Sequence, residues 1–166
     1  MTVDTTTEEP TEDINAQPGS EQAGRAQPSV GQADLEQATL ATLSRFFTHF
    51  GTGDAAAMLS LFAPDCDLEV AGSRTVPWTG KRRADLEIKE FIRAALEDVT
   101  TEQFDILETI TRGENVMVLG RFAHRVAATD KLFSGPFALH LRVVGGRIAT
   151  YRMYEDSFAA HEAFSA

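Results

Sequence analysis

The sequence predicts an α+β domain in which helices come first and an antiparallel sheet follows. Two observations favour this class. Apolar residues recur at helical spacing in the first half of the chain, most clearly in segment 82–98. Within that segment Ile88, Ile92 and Leu96 fall on one stripe of a helix. The second half instead holds long β-type segments joined by short turns that contain glycine.

Three helices are predicted before the long strands. The first begins at Asp34 and ends at the glycine-containing break 51–53. Asp54 then stands where an N-cap of a short second helix is expected, and Pro64 is expected to stop that helix. Segment 82–98 forms the third helix.

The strands are predicted from their alternation and from the turns between them. A first strand is expected at 66–72. Later turns are short, as at Gly145 and Gly146, so the long strands should pair as antiparallel neighbours. Asp156 or Ser157 is a candidate N-cap of a closing helix. The four long strands are predicted at Glu102–Thr111, Asn115–Ala127, Phe133–Val144 and Arg147–Glu155.

Composition excludes several classes of protein. With 15 basic and 25 acidic residues the formal net charge is −10, which disfavours binding to nucleic acid or to an anionic membrane surface. The single cysteine, Cys66, has no partner for an internal disulfide and no neighbours at zinc-ligand spacing. No leader-like N-terminus and no run of about 18 apolar residues occurs. We therefore expect a cytoplasmic protein without a metal or cofactor.

The first 33 residues differ in composition from the rest of the chain. They contain six acidic residues and one basic residue, and few side chains that could build a core. Such a segment cannot offset the entropy lost on ordering. We therefore expect residues 1–33 to be a disordered acidic tail and residues 34–166 to be the folded domain.

Three segments carry a resemblance to a known family: "GDAAAMLSLFAPDCDLEV", "VPWTGKRRADLEIKEFI" and "LHLRVVGGRIATYRMYEDSFAAHEAF". In these segments and their spacing the chain resembles the nuclear-transport-factor-2-like superfamily, and within it the SnoaL-like group. The resemblance implies a cone-shaped, curved antiparallel sheet packed against N-terminal helices, a cystatin-like roll. It also implies a pocket inside the cone and a homodimer formed through the outer face of the sheet.

Strand alternation combined with this resemblance predicts the side chains that line the pocket. The resemblance places Leu68, Val70, Leu119, Arg121, Ala123, Leu139, Leu141, Tyr151, Met153 and Glu155 on the inward face of the strands. Helix one adds Phe46 and Phe50, and Trp78 is expected near the mouth. The predicted ligand-binding residues are therefore Phe46, Phe50, Leu68, Val70, Trp78, Leu119, Arg121, Leu139, Tyr151 and Met153.

The catalytic groups of characterised relatives are missing from the matching positions. Ketosteroid isomerases use a base and two oxyanion donors, which correspond here to Val70, Phe46 and Leu139. Limonene-epoxide hydrolases use an Asp-Arg-Asp set, of which the resemblance retains only Arg121. SnoaL-like polyketide cyclases place an acid–base Asp where Met153 stands. The resemblance thus implies a pocket without the usual carboxylates.

A few polar residues remain as candidates. Arg121 could orient an anionic or carbonyl-bearing ligand, or it could simply pair with Glu155. Tyr151 and His49 join Arg121 as candidate catalytic residues. His124 and His140 fall on the expected outward face. The acidic cluster Asp65, Asp67 and Glu69 is best explained as a solvated strand face, so no metal site is predicted.

Three functions are consistent with the sequence. The first is a SnoaL-like domain that binds a small, apolar, cyclic molecule, with Arg121 and Tyr151 fixing its orientation. The second is an isomerase, hydratase or cyclase that uses His49, Tyr151 or Glu155 in place of the family carboxylates. The third is a dimeric structural or interaction module whose cone is filled by its own side chains.

Overall fold

The computed structural model describes residues 30–83 and 85–165, with the backbone alone at residue 30. The expected tail lies outside this part of the chain, apart from its last four residues, which begin the first helix. Within the described residues the elements are α1 (Val30–Thr52), α2 (Ala55–Ser60), β1 (Phe62–Val70), β2 (Gly80–Arg82), α3 (Asp85–Glu97), β3 (Val99–Arg112), β4 (Asn115–Val126), β5 (Leu132–Val144), β6 (Arg147–Tyr154) and α4 (Ser157–Phe164).

The strands form one six-stranded sheet in the order β2-β1-β6-β5-β4-β3. Strands β3 to β6 pair as antiparallel neighbours, as their short turns predict, whereas β1 pairs with β6 in parallel. The sheet is curved and does not close on itself, and helices α1, α3 and α4 pack against its strands. The predicted α+β class is confirmed.

The start of the sheet differs from the prediction. The second helix ends at Ser60, before Pro64, and Pro64 lies in β1. Pro64 fits there because the pairing of β1 with β6 shifts between Phe62 and Asp67, and an irregular stretch needs no hydrogen bond from every residue. Residues 80–82 pair with β1 as β2, so α3 starts only at Asp85.

Hydrogen bonds from buried threonines position α1 over the sheet. Thr39 Oγ1 donates to the carbonyl oxygen of Gly113 at 3.0 Å, and Thr42 Oγ1 donates to that of Gly146 at 3.3 Å. Both threonines are buried, and both acceptors lie in turns between strands. These bonds satisfy buried polar groups and fix the helix against two hairpin turns. As a result, Phe46 points into the cone.

Two predicted caps are present. Asp54 accepts a hydrogen bond from the backbone N–H of Ala57 at 3.0 Å and caps α2. Asp156 accepts from Phe158 and Ala159 and caps α4. The cap at Asp156 begins α4, which packs against β5.

Two features are absent from the described residues. No helix among them is long and apolar enough to cross a membrane. In the same part of the chain, no group of three or more His, Cys, Asp or Glu side chains is placed to hold a metal ion.

Candidate functional site

An apolar cavity of about 70 Å³ lies inside the cone, between the sheet and helices α1 and α3. Residues that face each other on paired strands point to the same side of a sheet. Val70 faces Met153, and Met153 faces Leu139, so these three side chains form one row of its floor. The cavity is lined by Phe46, Phe47, Phe50, Val70, Trp78, Phe91, Ala95, Val99, Phe104, His124, Phe137, Leu139, Tyr151, Met153 and Glu155.

His124 is the most isolated polar group of the lining. Its side chain is 8% exposed, and its ring stacks on Phe122 with the centroids 4.4 Å apart. Phe133 lies on another side, with the ring centroids 5.7 Å apart. The Nδ1 atom is buried and has no hydrogen-bond partner among the described residues. Burial without a compensating charge lowers the pKa of His124 to about 4, so its imidazole is neutral at neutral pH.

Glu155 and Trp78 form a second polar group. Trp78 Nε1 donates to Glu155 Oε1 at 2.8 Å. Burial raises the pKa of Glu155 above its ordinary value, and the nearby charge of Asp156 acts in the same direction, while the bond from Trp78 opposes both. The carboxyl group is therefore shifted toward its neutral, proton-donating form.

The loop that carries Trp78 is held in place by Arg82. Its guanidinium donates to the carbonyl oxygens of Trp78 and Pro77, each at 2.8 Å. On the other side, the indole stacks on Phe133 at 6.2 Å and meets Phe164 of α4 edge-on at 5.1 Å. Trp78 thus contacts β5, α4 and the carboxylate of Glu155, and it lines the cavity beside Glu155.

Tyr151 occupies the centre of the sheet face. Its ring packs edge-on against Phe91 at 5.2 Å and lies 6.1 Å from Phe46. Burial raises the pKa of Tyr151, and the charge of Glu155 raises it further, so the hydroxyl stays protonated. The cavity therefore contains an imidazole, a phenol, an indole and a carboxyl group, and no described lysine or arginine lines it.

Seven of the ten residues expected to bind a ligand line the cavity, whereas Leu68, Leu119 and Arg121 do not. Leu68 is fully buried in the core, as is Leu141, and neither reaches the cavity surface. His49 does not line the cavity either. The lining residues from the prediction are Phe46, Phe50, Val70, Trp78, Leu139, Tyr151 and Met153.

The inward direction predicted for Leu119, Arg121 and Ala123 is wrong. Val118, not Leu119, faces the inward Leu139, so β4 points its even-numbered residues into the cone. The side chain of Arg121 is 59% exposed on the outer face, where its Nε donates to Asp105 Oδ2 at 3.0 Å. Because β4 carries apolar residues on both faces, alternation alone could not distinguish its inward side.

His124 points inward, whereas the sequence placed it on the outward face. Phe122 and Gly120 are also even-numbered residues of β4, so they lie on its inward side as well. Gly120 is the residue that indicates most clearly which side of β4 faces inward. An added Cβ there would lie 2.5 Å from two ring carbons of Phe137, so the missing side chain makes room for an inward ring.

Comparisons with known proteins agree with this architecture. The SnoaL-like domain model matches residues 43–151, more than half of the chain. No curated protein sequence matches the chain. An NTF2-like protein from Burkholderia xenovorans LB400 is 25% identical, with a TM-score of 0.71 over 78% of this chain and 98% of that chain.

Two further solved structures share the fold at lower identity. TerC, crystallised with polyporic acid, is 18% identical, with a TM-score of 0.67 over 78% of this chain and 99% of that chain. An LEH-like epoxide hydrolase from M. tuberculosis is 15% identical, with a TM-score of 0.61 over 78% of this chain and 90% of that chain. The family match and these folds together show that the chain belongs to the SnoaL-like domain family of NTF2-like proteins.

Proposed function

We propose that this protein binds a small, neutral, mostly apolar and cyclic molecule in the cone, and that His124 and Glu155 orient its polar group. The observation that carries the proposal is the buried imidazole of His124, whose Nδ1 has no partner among the described residues. Leaving a buried polar group unpaired costs about 1–3 kcal/mol. A ligand that hydrogen-bonds to the imidazole would remove this cost on binding.

The preference for a neutral ligand follows from the charges. An anion would need a positive partner, and Arg121, the expected anchor, lies outside the cavity in a pair with Asp105. The raised pKa of Glu155 makes its carboxyl group easier to protonate than a free one, and in the protonated form it can donate to an acceptor such as a carbonyl oxygen. Apolar cavities with a few placed polar groups are typical of small-molecule sites.

Thermal shift tests the proposal with neutral cyclic ketones and phenols, matched against carboxylic acids of the same carbon skeleton. A neutral ligand at about a hundredfold over its Kd should add roughly 2.7 kcal/mol to the free energy of unfolding, a shift of several degrees in Tm. The matching carboxylates should give little or no shift. His124→Phe should reduce the affinity for the neutral ligands by about tenfold or more, since the hydrogen bond is lost.

Arg121→Ala is the matched control. It removes a charge from the outer face and should leave the ligand-induced shift unchanged. A shift that persists in His124→Phe but disappears in Arg121→Ala would contradict the proposal, as would preferential binding of the carboxylates.

A second candidate function is acid–base catalysis on such a ligand. It is favoured by the presence of a neutral imidazole and a carboxyl group shifted toward protonation in one small cavity. His124 would remove a proton from the carbon beside a carbonyl while Glu155 donates a hydrogen bond to the carbonyl oxygen, and the proton would return to carbon. No oxidant, reductant or further reactant is needed.

Hydrogen–deuterium exchange measures this step directly. In D₂O the protein should accelerate exchange of the protons beside the carbonyl of cyclohexanone, followed by NMR. Removing a general base typically costs about 10²–10⁴-fold in rate, so His124→Phe should lose the acceleration by that factor. Equal acceleration by wild type and His124→Phe would exclude His124 as the base.

The homodimer stays a prediction, supported by the outer face of the sheet. There Ile110 is 51% exposed and faces Met117 across the strand pair, while Leu119 faces Ala138. An apolar row of this kind, flanked by charged residues such as Arg121, suits a contact between two copies of the chain.

A further inference from the structure

A groove lies directly outside the cavity, where the end of α1, the end of α3 and the start of β3 meet. Its volume is about 770 Å³, and it is open to solvent. Glycines contribute to one side of it, and at Gly51 and Gly53 no atom lies within 4 Å of the position that a Cβ would take. The groove is lined by Phe47, Phe50, Gly51, Thr52, Gly53, Ala95, Leu96, Val99, Thr100, Thr101, Phe104 and Ile106.

The groove and the cavity share a wall. Five residues line both spaces: Phe47, Phe50, Ala95, Val99 and Phe104. In this wall the ring of Phe104 lies 5.7 Å from that of Phe47 and 5.7 Å from that of Phe50. These three phenylalanines are only half-buried. The movable part of this wall is therefore its three phenylalanine side chains, because partly exposed side chains can change rotamer without moving a strand or helix.

The cavity as it stands is smaller than a cyclic ligand, so its lining side chains must move when one binds. Its volume is about 70 Å³. An engineered apolar cavity that binds benzene measures about 150 Å³. A larger molecule must therefore extend out of the cavity. The groove is the adjoining space, and the rings of Phe47, Phe50 and Phe104, here called the phenylalanine wall, separate the two.

The lining of the groove indicates what it can hold. Within the described part of the chain, none of the twelve residues that line the groove is charged, although 24% of the residues of the sequence are. Ile106, at its outer edge, is 47% exposed. The groove adjoins the apolar cavity, and its lining mixes apolar side chains with threonine and glycine residues. It therefore offers apolar contacts to a neutral group and no partner to a charged one.

We propose that the ligand is elongated, with its polar head beside His124 and Glu155 and an apolar tail that passes between Phe47, Phe50 and Phe104 into the groove. The inference rests on the proposed function and adds a tail to the ligand. The phenylalanine wall opens around the tail and closes when the site is empty.

The test uses alkyl phenyl ketones of increasing chain length, from acetophenone to octanophenone, with binding measured by calorimetry on the full chain. Each methylene that becomes buried raises affinity by up to roughly fourfold. Affinity should therefore rise steadily along the series. Binding of acetophenone with no gain from the longer chains would overturn the tail while leaving the proposed function intact. No binding of any ketone would overturn both.

Ile106→Glu separates specific from non-specific chain-length effects. It places a charge in the groove without touching the cavity, and it should weaken octanophenone by about tenfold or more while leaving acetophenone unchanged. Leu107→Glu is the control, because Leu107 is the next residue, is 65% exposed and lines neither space. Equal octanophenone affinity in both variants would overturn the proposal. A change of molecular mass in Ile106→Glu alone, with octanophenone affinity retained, would assign the groove to a second copy instead.

Discussion

Lowering the pH from 7.5 to 4 is expected to destabilise the protein by about 3 kcal/mol through His124. An unfolded histidine takes up a proton near pH 6.5, whereas the folded protein holds the pKa of His124 at about 4 because the ring is buried. Between these values the unfolded chain binds more protons, so the free energy of unfolding falls as the pH falls. The full stability is present above pH 6.5 and is lost progressively down to about 4.

The measurement is the free energy of unfolding by urea across this range, in wild type and in His124→Phe. The difference between the two proteins isolates His124, because both retain Glu155, whose raised pKa acts in the opposite direction: its contribution is lost as the pH rises. Parallel curves for wild type and His124→Phe would show that His124 is not shielded from solvent.

Gly120→Ala is expected to cost about 3 kcal/mol of stability. The added methyl group would lie 2.5 Å from two ring carbons of Phe137 and would also clash with the backbone carbonyl of Asp105. Phe137 cannot easily yield, because it is 4% exposed and stacks on Phe104 at 5.1 Å and on Phe122 at 6.0 Å. The expected result is a fall in the urea midpoint with little change in the m-value.

Gly51→Ala is the matched control. It lies in α1, and no atom is within 4 Å of its Cβ position. Alanine is better than glycine in a helix by roughly 0.5–1 kcal/mol, so this variant should be slightly more stable than wild type. Gly120→Ala with Phe137→Leu should recover only part of the loss, because the clash with the Asp105 carbonyl remains. A loss below about 1 kcal/mol in Gly120→Ala would contradict the tight approach of β4 to Phe137.

The polar side chains of this cavity do not occupy the positions that hold catalytic groups in the relatives. Phe46, Val70, Leu139 and Met153 all line the cavity as apolar side chains. Its titratable groups come instead from the inward face of β4 and the end of β6. The cavity-lining positions that carry catalytic groups in the relatives therefore hold only apolar side chains here, and His124 lies outside that set.

The sequence alone determined the class of the fold and most of its elements. The apolar stripe of α3, the caps at Asp54 and Asp156, and the short turn at 145–146 are local signals, and each depends on a few neighbouring residues. For β5 and β6 the inward face was also predictable, because the resemblance supplied a register for Leu139 and Tyr151. Neighbouring residues in the sequence suffice to predict an element when they strongly favour one local conformation.

Only the tertiary structure decided which side of β4 faces the cavity and how much space remains there. Apolar residues occupy both faces of β4, so its orientation depends on pairing with β5 and on the fit of Phe137 against Gly120. The cavity volume is what remains after many side chains have packed. No single residue determines the cavity volume, because this volume depends on contacts between segments that are far apart in the chain.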